Sequence, residues 1–304
     1  VISGKGGTGK TSIVASFAAL AGNAVLADCD VDAADLHLVL EPEIQRREPF
    51  SGGKRARLDP GLCRGCGKCS ELCRFGAVMA DRPHEPPGGR VYRIDPIACE
   101  GCGVCAWFCP EQAIVLEQAI NGEWFVSDTR HGPMVHAKLG IAEENSGKLV
   151  STVRQEARRI AQALKRDLIL IDGSPGIGCP VIASITGASL ILVVTEPTVS
   201  GLHDLNRVTD LAKHFAVPAM VCVNKWDLNP EVAMMTETHA LRRGLRVAGR
   251  IRYDRGVTQA QVARKSVVEY QRNGCAEDIR SAWEAVRREL DRSPDVSGGE
   301  RRGS

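Results

Sequence analysis

Short apolar runs recur along most of the chain and alternate with segments of helical periodicity. Each run is short enough to form one buried strand, and the helical segment after it can return the chain to the same edge of a sheet. This order predicts an α/β domain built around a mostly parallel sheet. The predicted strands are 1–3, 24–28, 168–172, 190–195, 218–224 and 245–251, and the predicted helices include 10–21, 148–165 and 276–290.

Three segments depart from this pattern. Residues 41–61 are rich in Pro, Gly and charge, which predicts a linker, and residues 124–139 predict a β-hairpin that turns near His131. The segment from Ser293 onward is rich in Gly, Ser and Arg and is expected to be disordered. The predicted domains are an α/β domain in two parts, 1–55 and 118–292, an insert at 56–117, and a tail at 293–304.

The predicted insert contains two copies of one pattern, 36 residues apart. Each copy reads Asp-Pro-x-x-Cys-x-Gly-Cys-Gly-x-Cys-x-x-x-Cys, beginning at Asp59 and at Asp95. The C-x2-C-x2-C-x3-C spacing is typical of proteins that hold two [4Fe–4S] clusters, and the fourth cysteine of each run then ligates the other cluster. The predicted ligand sets are Cys63, Cys66, Cys69 and Cys109 for one cluster, and Cys99, Cys102, Cys105 and Cys73 for the other.

Two other uses of these cysteines are less favoured. The chain has 12 cysteines, but it is long and carries a nucleotide motif, which favours reduced thiolates over a disulfide framework. Zinc sites usually pair two C-x2-C units across a longer gap. Arg74 stands where the second copy has Pro110, a departure that removes no ligand.

A phosphate-binding loop follows the first predicted strand and opens the first predicted helix. Its glycines let backbone N–H groups turn inward around phosphate oxygens at the helix N-terminus. Lys10 places a positive charge on the outer phosphates, and the Thr11 hydroxyl is expected to hold Mg²⁺. The predicted loop consists of Gly4, Lys5, Gly6, Gly7, Thr8, Gly9, Lys10 and Thr11.

Lys5 makes the loop read K-G-G-x-G-K-T, which resembles the deviant P-loop of the family that includes MinD, ParA and the nitrogenase iron protein. Asp28-Cys29-Asp30 and Asp172-Gly173-Ser174-Pro175-Gly176 resemble the two switch segments of that family. The resemblance implies an ATP-dependent homodimer in which Lys5 reaches the partner's phosphates. It also implies that Asp30 orients the attacking water and that Asp172 lies near Mg²⁺.

Asn224-Lys225-Trp226-Asp227 matches the N-K-x-D pattern that reads guanine in GTPases. In the deviant P-loop family an asparagine at this place contacts adenine instead, so the resemblance favours ATP, with Asn224 and Lys225 in the nucleotide site. Segments 132–137, 144–149 and 195–204 also look like one group, the MinD-superfamily ATPases with an inserted small α+β bacterial-type ferredoxin domain holding two [4Fe–4S] clusters. The resemblance runs nearly from end to end.

Cys179 lies seven residues after Asp172, the spacing at which the nitrogenase iron protein carries a cluster cysteine. We expect instead a small buried side chain at the start of a helix.

Three functions stay open. The first is an ATP-gated electron carrier that serves an unidentified redox partner protein. The second is an iron–sulfur assembly ATPase, which is disfavoured because Cys222 and Cys275 stand alone where such carriers have a C-x-x-C pair. The third is a MinD/ParA-type positioning ATPase with redox sensing. The apolar stripe that a membrane-bound form would use in the last helix is expected to pack on the sheet; it consists of Ile279, Trp283, Val286 and Leu290.

Charge and hydropathy further limit the classes of partner that the chain is expected to bind. The net charge is +2, which gives no general case for binding nucleic acid or a membrane surface. The apolar run 190–194 is too short to span a bilayer, so no stable membrane insertion is expected. No signal peptide is visible and a cytoplasmic location is expected, although Val1 is not a methionine and a preceding leader stays open.

Overall fold

The computed structural model describes residues 1–83, 90–140 and 145–292, and it forms two compact units. The first unit comprises Val1–Arg47, Trp124–Lys138 and the chain from Ser146 onward, and the second comprises Glu48–Glu123 and Leu139–Asn145. The predicted insert, 56–117, lies inside the second unit, which extends beyond it at both ends. The predicted tail, 293–304, lies outside the described residues.

The described elements alternate as the apolar pattern predicts, and several begin and end within a residue of the predicted bounds. The strands are β1 (Ile2–Ser3), β2 (Ala24–Asp28), β3 (Glu43–Phe50), β4 (Gly53–Leu58), β5 (Val78–Pro83), β6 (Arg90–Ile94), β7 (Ile114–Ala119), β8 (Gly122–Thr129), β9 (Gly132–Leu139), β10 (Leu168–Asp172), β11 (Ile191–Thr195), β12 (Ala219–Asn224) and β13 (Arg246–Ile251). The helices are α1 (Lys10–Ala21), α2 (Leu36–Leu40), α3 (Lys68–Leu72), α4 (Val104–Trp107), α5 (Ser146–Ala163), α6 (Cys179–Ile185), α7 (Val199–His214), α8 (Pro230–Arg242), α9 (Gly256–Val262), α10 (Val267–Tyr270) and α11 (Cys275–Leu290).

The strands of the first unit confirm a mainly parallel α/β fold. One sheet has the order β1-β11-β12-β13, and all its pairs are parallel. A second has the order β10-β2-β9-β8-β3, with β2 parallel to both of its neighbours. A parallel bridge from Ser3 to Pro175 links the two sheets. The carboxyl ends of β1, β2, β10, β11 and β12 therefore lie along one edge, where ligands of open α/β sheets bind.

Alternate residues of the central strands enter different apolar cores. Leu192 and Val194 of β11 belong to a core shared with α1 and α11, whereas Ile191 and Val193 belong to a core with α7 and α8. The sheet is thus covered on both faces, which explains strands that read as continuous apolar runs.

The apolar stripe of α11 lies in the first of these cores. Ile279, Trp283 and Val286 are buried, Leu290 packs against them, and the Trp283 ring lies 4.8 Å from the ring of Phe17. The prediction that this stripe packs on the sheet is confirmed. Among the described helices, none has the length and apolar character needed to cross a membrane.

The predicted linker at residues 41–61 is wrong, because β3 and β4 occupy most of it. β3 stands last in its sheet and exposes most of its charged side chains. An edge strand with solvent on one side tolerates such a composition, and its charges discourage pairing with other chains. The predicted hairpin at 124–139 is formed by β8 and β9, with the turn before Gly132.

In the second unit the sequence repeat becomes a structural repeat. β4 pairs antiparallel with β7, and β6 pairs antiparallel with β5, so each pair joins the start of one copy to the end of the other. The Asp59 N–H donates to the Ala113 carbonyl at 2.8 Å, and the Asp95 N–H donates to the Ala77 carbonyl at 2.7 Å. The two copies therefore interlock through equivalent contacts 36 residues apart.

Candidate functional site

Two glycines, Gly4 and Gly9, allow the loop between β1 and α1 to pass close to neighbouring side chains. Gly9 ends the loop at a φ of 86°, and a Cβ there would lie 2.4 Å from the Asn224 side-chain amide. A Cβ on Gly4 would lie 2.3 Å from the Cβ of Asp204. The loop backbone thus lies close to the side chain of Asn224 at the end of β12 and to that of Asp204 in α7.

Lys10 is buried among three aspartates at the carboxyl ends of β2 and β10. Its ammonium lies 2.5 Å from Asp172 Oδ1 and 3.5 Å from Asp30 Oδ2. Burial lowers the pKa of Lys10, but the carboxylates raise it more, so the ammonium stays charged. Burial raises the pKa of Asp28 and of Asp30, and the charge of Asp172 raises both further. The site therefore holds one cation against an excess of acidic groups.

Two oxygen atoms here are buried without a hydrogen-bond partner: Thr8 Oγ1 and Asp172 Oδ2. Such orphaned atoms are uncommon in folded proteins, and they indicate a ligand or ion that completes the site. Thr11, in the first turn of α1, is half-buried. The structure thus brings Thr8, Lys10, Asp30 and Asp172 to one place at the edge of the sheet.

The Asn224-Lys225-Trp226-Asp227 segment lies beside the same loop. Asn224 donates to the Thr8 carbonyl at 2.7 Å, and Lys225 donates to the Gly7 carbonyl at 3.1 Å. Asp227 Oδ1 accepts the backbone N–H of Tyr253 at 2.6 Å. Asn224 and Lys225, which are both predicted to lie in the nucleotide site, therefore support the loop. One oxygen of the Asp227 carboxylate already accepts a hydrogen bond.

Glu196 is a residue of this site that the sequence analysis missed. Its carboxylate contacts Lys225 at 2.5 Å and Lys5 at 3.1 Å. The missed signal is its position, because Glu196 directly follows β11 at the same edge that carries Asp172 and Asn224. The predicted role of Lys5 in a second subunit stays a prediction.

Four cysteines of the second unit line one small pocket. They are Cys73, Cys99, Cys102 and Cys105, the four members of the second predicted ligand set. The backbone N–H of Ala56 points at Cys99 Sγ from 3.5 Å. The other walls are mainly apolar and include Phe75, Ala77, Val78, Ile94 and Val104.

Three residues of the first predicted set lie close together. Burial raises the pKa of Cys69, and the nearby thiolates of Cys63 and Cys66 add to the effect. Cys63 Sγ accepts the Gly65 N–H at 3.4 Å, and Cys109 Sγ accepts the Ala113 N–H at 3.3 Å. The structure thus groups three of the four residues and holds Cys109 by its own backbone contact.

All 12 cysteines are free thiols. Within residues 1–83, 90–140 and 145–292, no three or more His, Cys, Asp or Glu side chains are arranged to hold a single metal ion. Cys179 begins α6 as predicted, but the expectation that it is buried is wrong, because this residue is exposed. Val181 in the same turn is buried, so Cys179 lies on the exposed side of the helix start.

Comparison with known proteins agrees with this architecture. The sequence model of the CobQ/CobB/MinD/ParA nucleotide binding domain matches residues 1–267. The uncharacterized protein MJ0578 of Methanocaldococcus jannaschii is 34% identical over 232 residues, which cover 75% of this chain and 78% of that protein.

Solved structures show the same fold at lower identity. The cell division ATPase MinD of Pyrococcus furiosus has a TM-score of 0.54 at 17% identity, over 95% of this chain and 98% of MinD. The septum site-determining protein MinD of Pyrococcus horikoshii, complexed with Mg-ADP, has a TM-score of 0.55 at 18% identity, over 94% of both chains. Since the family model covers most of its length, the chain belongs to the CobQ/CobB/MinD/ParA family of nucleotide-binding proteins.

Proposed function

We propose that the protein is a Mg²⁺-dependent ATPase that binds two [4Fe–4S] clusters and links its nucleotide state to electron transfer with a partner protein. The observation that carries this proposal is the pocket lined by Cys73, Cys99, Cys102 and Cys105, in a chain that also has a complete phosphate-binding loop.

The nucleotide half rests on the residues around Lys10. An incoming phosphate group would compete with Asp172 and Asp30 for the Lys10 ammonium, and Thr8 Oγ1 would gain the partner it lacks. The hydroxyl of Thr11 and the free Oδ2 of Asp172 are the groups that would hold Mg²⁺, since hydroxyl and carboxylate oxygens suit that ion. The MinD of Pyrococcus horikoshii, which has the same fold, is complexed with Mg-ADP.

The contacts of Asp227 favour ATP over GTP. A guanine-reading aspartate uses its carboxylate to accept from the base, but the Tyr253 N–H holds Asp227 Oδ1 at 2.6 Å. Asn224 donates to the Thr8 carbonyl and accepts the Lys225 N–H, which leaves one N–H and one lone pair of its amide for adenine. We expect ATP to bind at least tenfold more tightly than GTP.

The cysteine half fits a four-iron cluster better than a single ion. A cubane takes one thiolate for each iron, so its ligands surround a cavity and do not converge on one point, as observed for the second set. Backbone N–H groups point at the sulfurs of Cys63, Cys99 and Cys109. A Cβ on Gly101 would lie 1.9 Å from the Lys54 carbonyl oxygen, so only glycine allows the second loop its path.

The interlocked copies would give each proposed set its fourth ligand. Because β4 pairs with β7 and β6 with β5, the end of each copy is carried to the start of the other. Cys73 of the first copy accordingly lies with Cys99, Cys102 and Cys105 of the second. When bound, such clusters supply one-electron redox chemistry. The chain's own residues hold the thiolates apart and enclose them with apolar side chains.

The path of the chain supports communication between the two sites. After Asp30, α2 leads into β3, and the boundary between the units falls within β3, after Arg47. Arg130 donates to the carbonyl of Val39 in α2 at 3.0 Å and pairs with Glu269, so this connection is held to the first unit. A change near Asp30 on nucleotide binding would therefore act on the segment that leads into the cysteine unit.

Coupling is tested by measuring ATP affinity for the oxidised and the dithionite-reduced protein. Binding linkage is reciprocal. If reduction of the clusters changes the ATP affinity, then ATP binding must change the reduction potential by the same free energy. We expect affinities that differ by at least about fivefold, within the usual range of such couplings. Equal affinities, together with equal potentials with and without a non-hydrolysable analogue, would contradict the proposal.

A further inference from the structure

Glu196 is held in place by the backbone around it. It follows the last residue of β11, and its carbonyl accepts the N–H of Thr198 at 2.8 Å. Thr198 caps α7 by accepting the Gly201 N–H at 3.0 Å. A Cβ on Gly201 would lie 2.4 Å from the Glu196 carbonyl oxygen, so glycine is required for this close approach. These backbone contacts therefore fix the position of the Glu196 Cα, from which the side chain extends.

Its carboxylate divides two oxygens between two lysines. Oε1 contacts Lys225 at 2.5 Å and Oε2 contacts Lys5 at 3.1 Å, and the Glu196 side chain is 15% exposed. Burial raises the pKa of Glu196, but hydrogen bonds from Lys225 and Lys5 lower it more, so the net pKa is reduced and the group is ionised near neutral pH. Lys225 also reaches the Gly7 carbonyl, whereas Lys5 has Glu196 as its charged partner.

We propose that Glu196 is a positioning residue that holds Lys5 within its own subunit and so restrains dimerisation. This inference rests on the proposed nucleotide-dependent homodimer, in which Lys5 reaches the phosphates of a second copy of the chain. A lysine ammonium that contacts Glu196 cannot also extend to another subunit, so this ion pair must break when the dimer forms. Glu196 thereby makes dimerisation depend on bound nucleotide, because the phosphates of the second copy must replace the Glu196 carboxylate as the negative partner of Lys5.

The size of the effect follows from the exposure of the pair. The Lys5 side chain is 34% exposed, so solvent weakens the attraction. Partly exposed ion pairs of this kind change an equilibrium by about threefold to fivefold. Glu196→Gln keeps the shape of the side chain and removes its charge. Because a symmetric dimer breaks this pair in both subunits, we expect the variant to dimerise at a protein concentration lower by the square of that factor, roughly 10- to 25-fold.

The experiment is sedimentation velocity on the full chain with Mg²⁺ and a saturating non-hydrolysable ATP analogue. It compares the wild type, Glu196→Gln, Lys5→Ala and the double variant, which form a double-mutant cycle. Lys5→Ala also removes the contact with the partner's phosphates, so its background is measured at protein concentrations high enough for dimers to form. There the shift caused by Glu196→Gln should vanish, because no lysine is left to release. Glu196→Asp, which keeps the charge, should restore dissociation close to that of the wild type.

Glu156→Gln is the matched control. Glu156 is 13% exposed and also bridges two cations, Arg159 at 2.7 Å and Arg46, but it lies on α5. It should leave dimerisation unchanged. A Glu196→Gln dimer no tighter than the wild type, or an equal shift in the Lys5→Ala background, would overturn the positioning role alone. A wild type that stays monomeric with saturating analogue would remove the proposed homodimer and this inference with it.

Discussion

The two units of the chain achieve a folded core by different means. The first unit has two extensive apolar cores on either side of its sheet. In the second unit, described residues that are both apolar and buried are few and mostly small, and neither α3 nor α4 buries a side chain completely. Its larger apolar side chains are instead exposed, among them Leu62, Phe75, Ile97, Trp107 and Phe108.

The contrast indicates where each unit obtains its stability. A small domain with so little apolar burial usually needs a metal or a disulfide to fold, and the cysteines here are free. The proposed clusters would fill the centre of the second unit, whereas ATP would bind at the edge of a first unit that is already complete. Ligand removal should therefore affect the two units very differently.

The largest expected effect is that of removing iron. Anaerobic chelation should unfold the second unit, because metal binding there contributes its folding free energy. Hydrogen exchange should show protection of β4 and β7 falling by about 100-fold or more, with little change in β2 and β11. Protection that persists in β4 and β7 after complete iron removal would contradict the contrast between the units.

Lys10→Ala should reduce ATP hydrolysis by about 10²- to 10³-fold, because it removes the charge that stabilises the phosphate oxygens in the transition state. Iron content should be unchanged, since Lys10 belongs to the first unit. Steady-state phosphate release and iron analysis on the same sample measure both. Lys213→Ala, an exposed position on α7, is the control and should retain activity. Loss of iron in Lys10→Ala would show that the units do not fold independently.

Cys66→Ser and Cys102→Ser should each lower iron from about eight to about four atoms per chain, because each residue belongs to one predicted set. The two variants test whether the repeat builds two equivalent sites. Cys179→Ser is the matched control, an exposed cysteine outside the repeat that should leave iron unchanged. Loss of all iron in either single variant would mean that the clusters do not form separately, and loss in Cys179→Ser would assign that residue a ligand role.

The smallest expected effect is a pH dependence within the first unit. Burial lowers the pKa of His136 to about 4, with a smaller contribution from His37. Its ring stacks on Phe125 at 4.9 Å and contacts Ser127 Oγ at 2.8 Å. Because the folded state disfavours the charged ring, its stabilising contribution is present above the unfolded pKa of about 6.5 and is lost as pH falls towards 4.

His136→Gln should therefore flatten the decline in unfolding free energy between pH 7 and pH 4 by about 2 kcal/mol. Urea unfolding of the first unit, followed at both pH values, measures the difference. An identical decline in the variant and the wild type would show that other groups control the acid sensitivity.

Sequence reasoning succeeded where a pattern is local and periodic. The bounds of α1 and β2 follow from the spacing of apolar residues and from the glycines at their ends, and the cysteine repeat is visible from its spacing alone. It failed where tertiary position decides. The strands β3 and β4 carry a linker-like composition because one lies at a sheet edge, and the exposure of Cys179 depends on which side of the start of α6 is buried. Glu196 lies in the segment 195–204, whose resemblance assigned it no role, and its contact with Lys5 exists only once β1 and β11 are neighbours.

The central claim is that the chain joins a nucleotide site to two four-iron clusters. Its most direct test is to measure the content of iron and acid-labile sulfide in the full chain after anaerobic purification. The two interlocked cysteine copies predict about eight iron and about eight sulfide per chain, with no stoichiometric zinc. About four iron, or zinc in place of iron and sulfide, would contradict the two-cluster assignment and with it the proposed electron transfer.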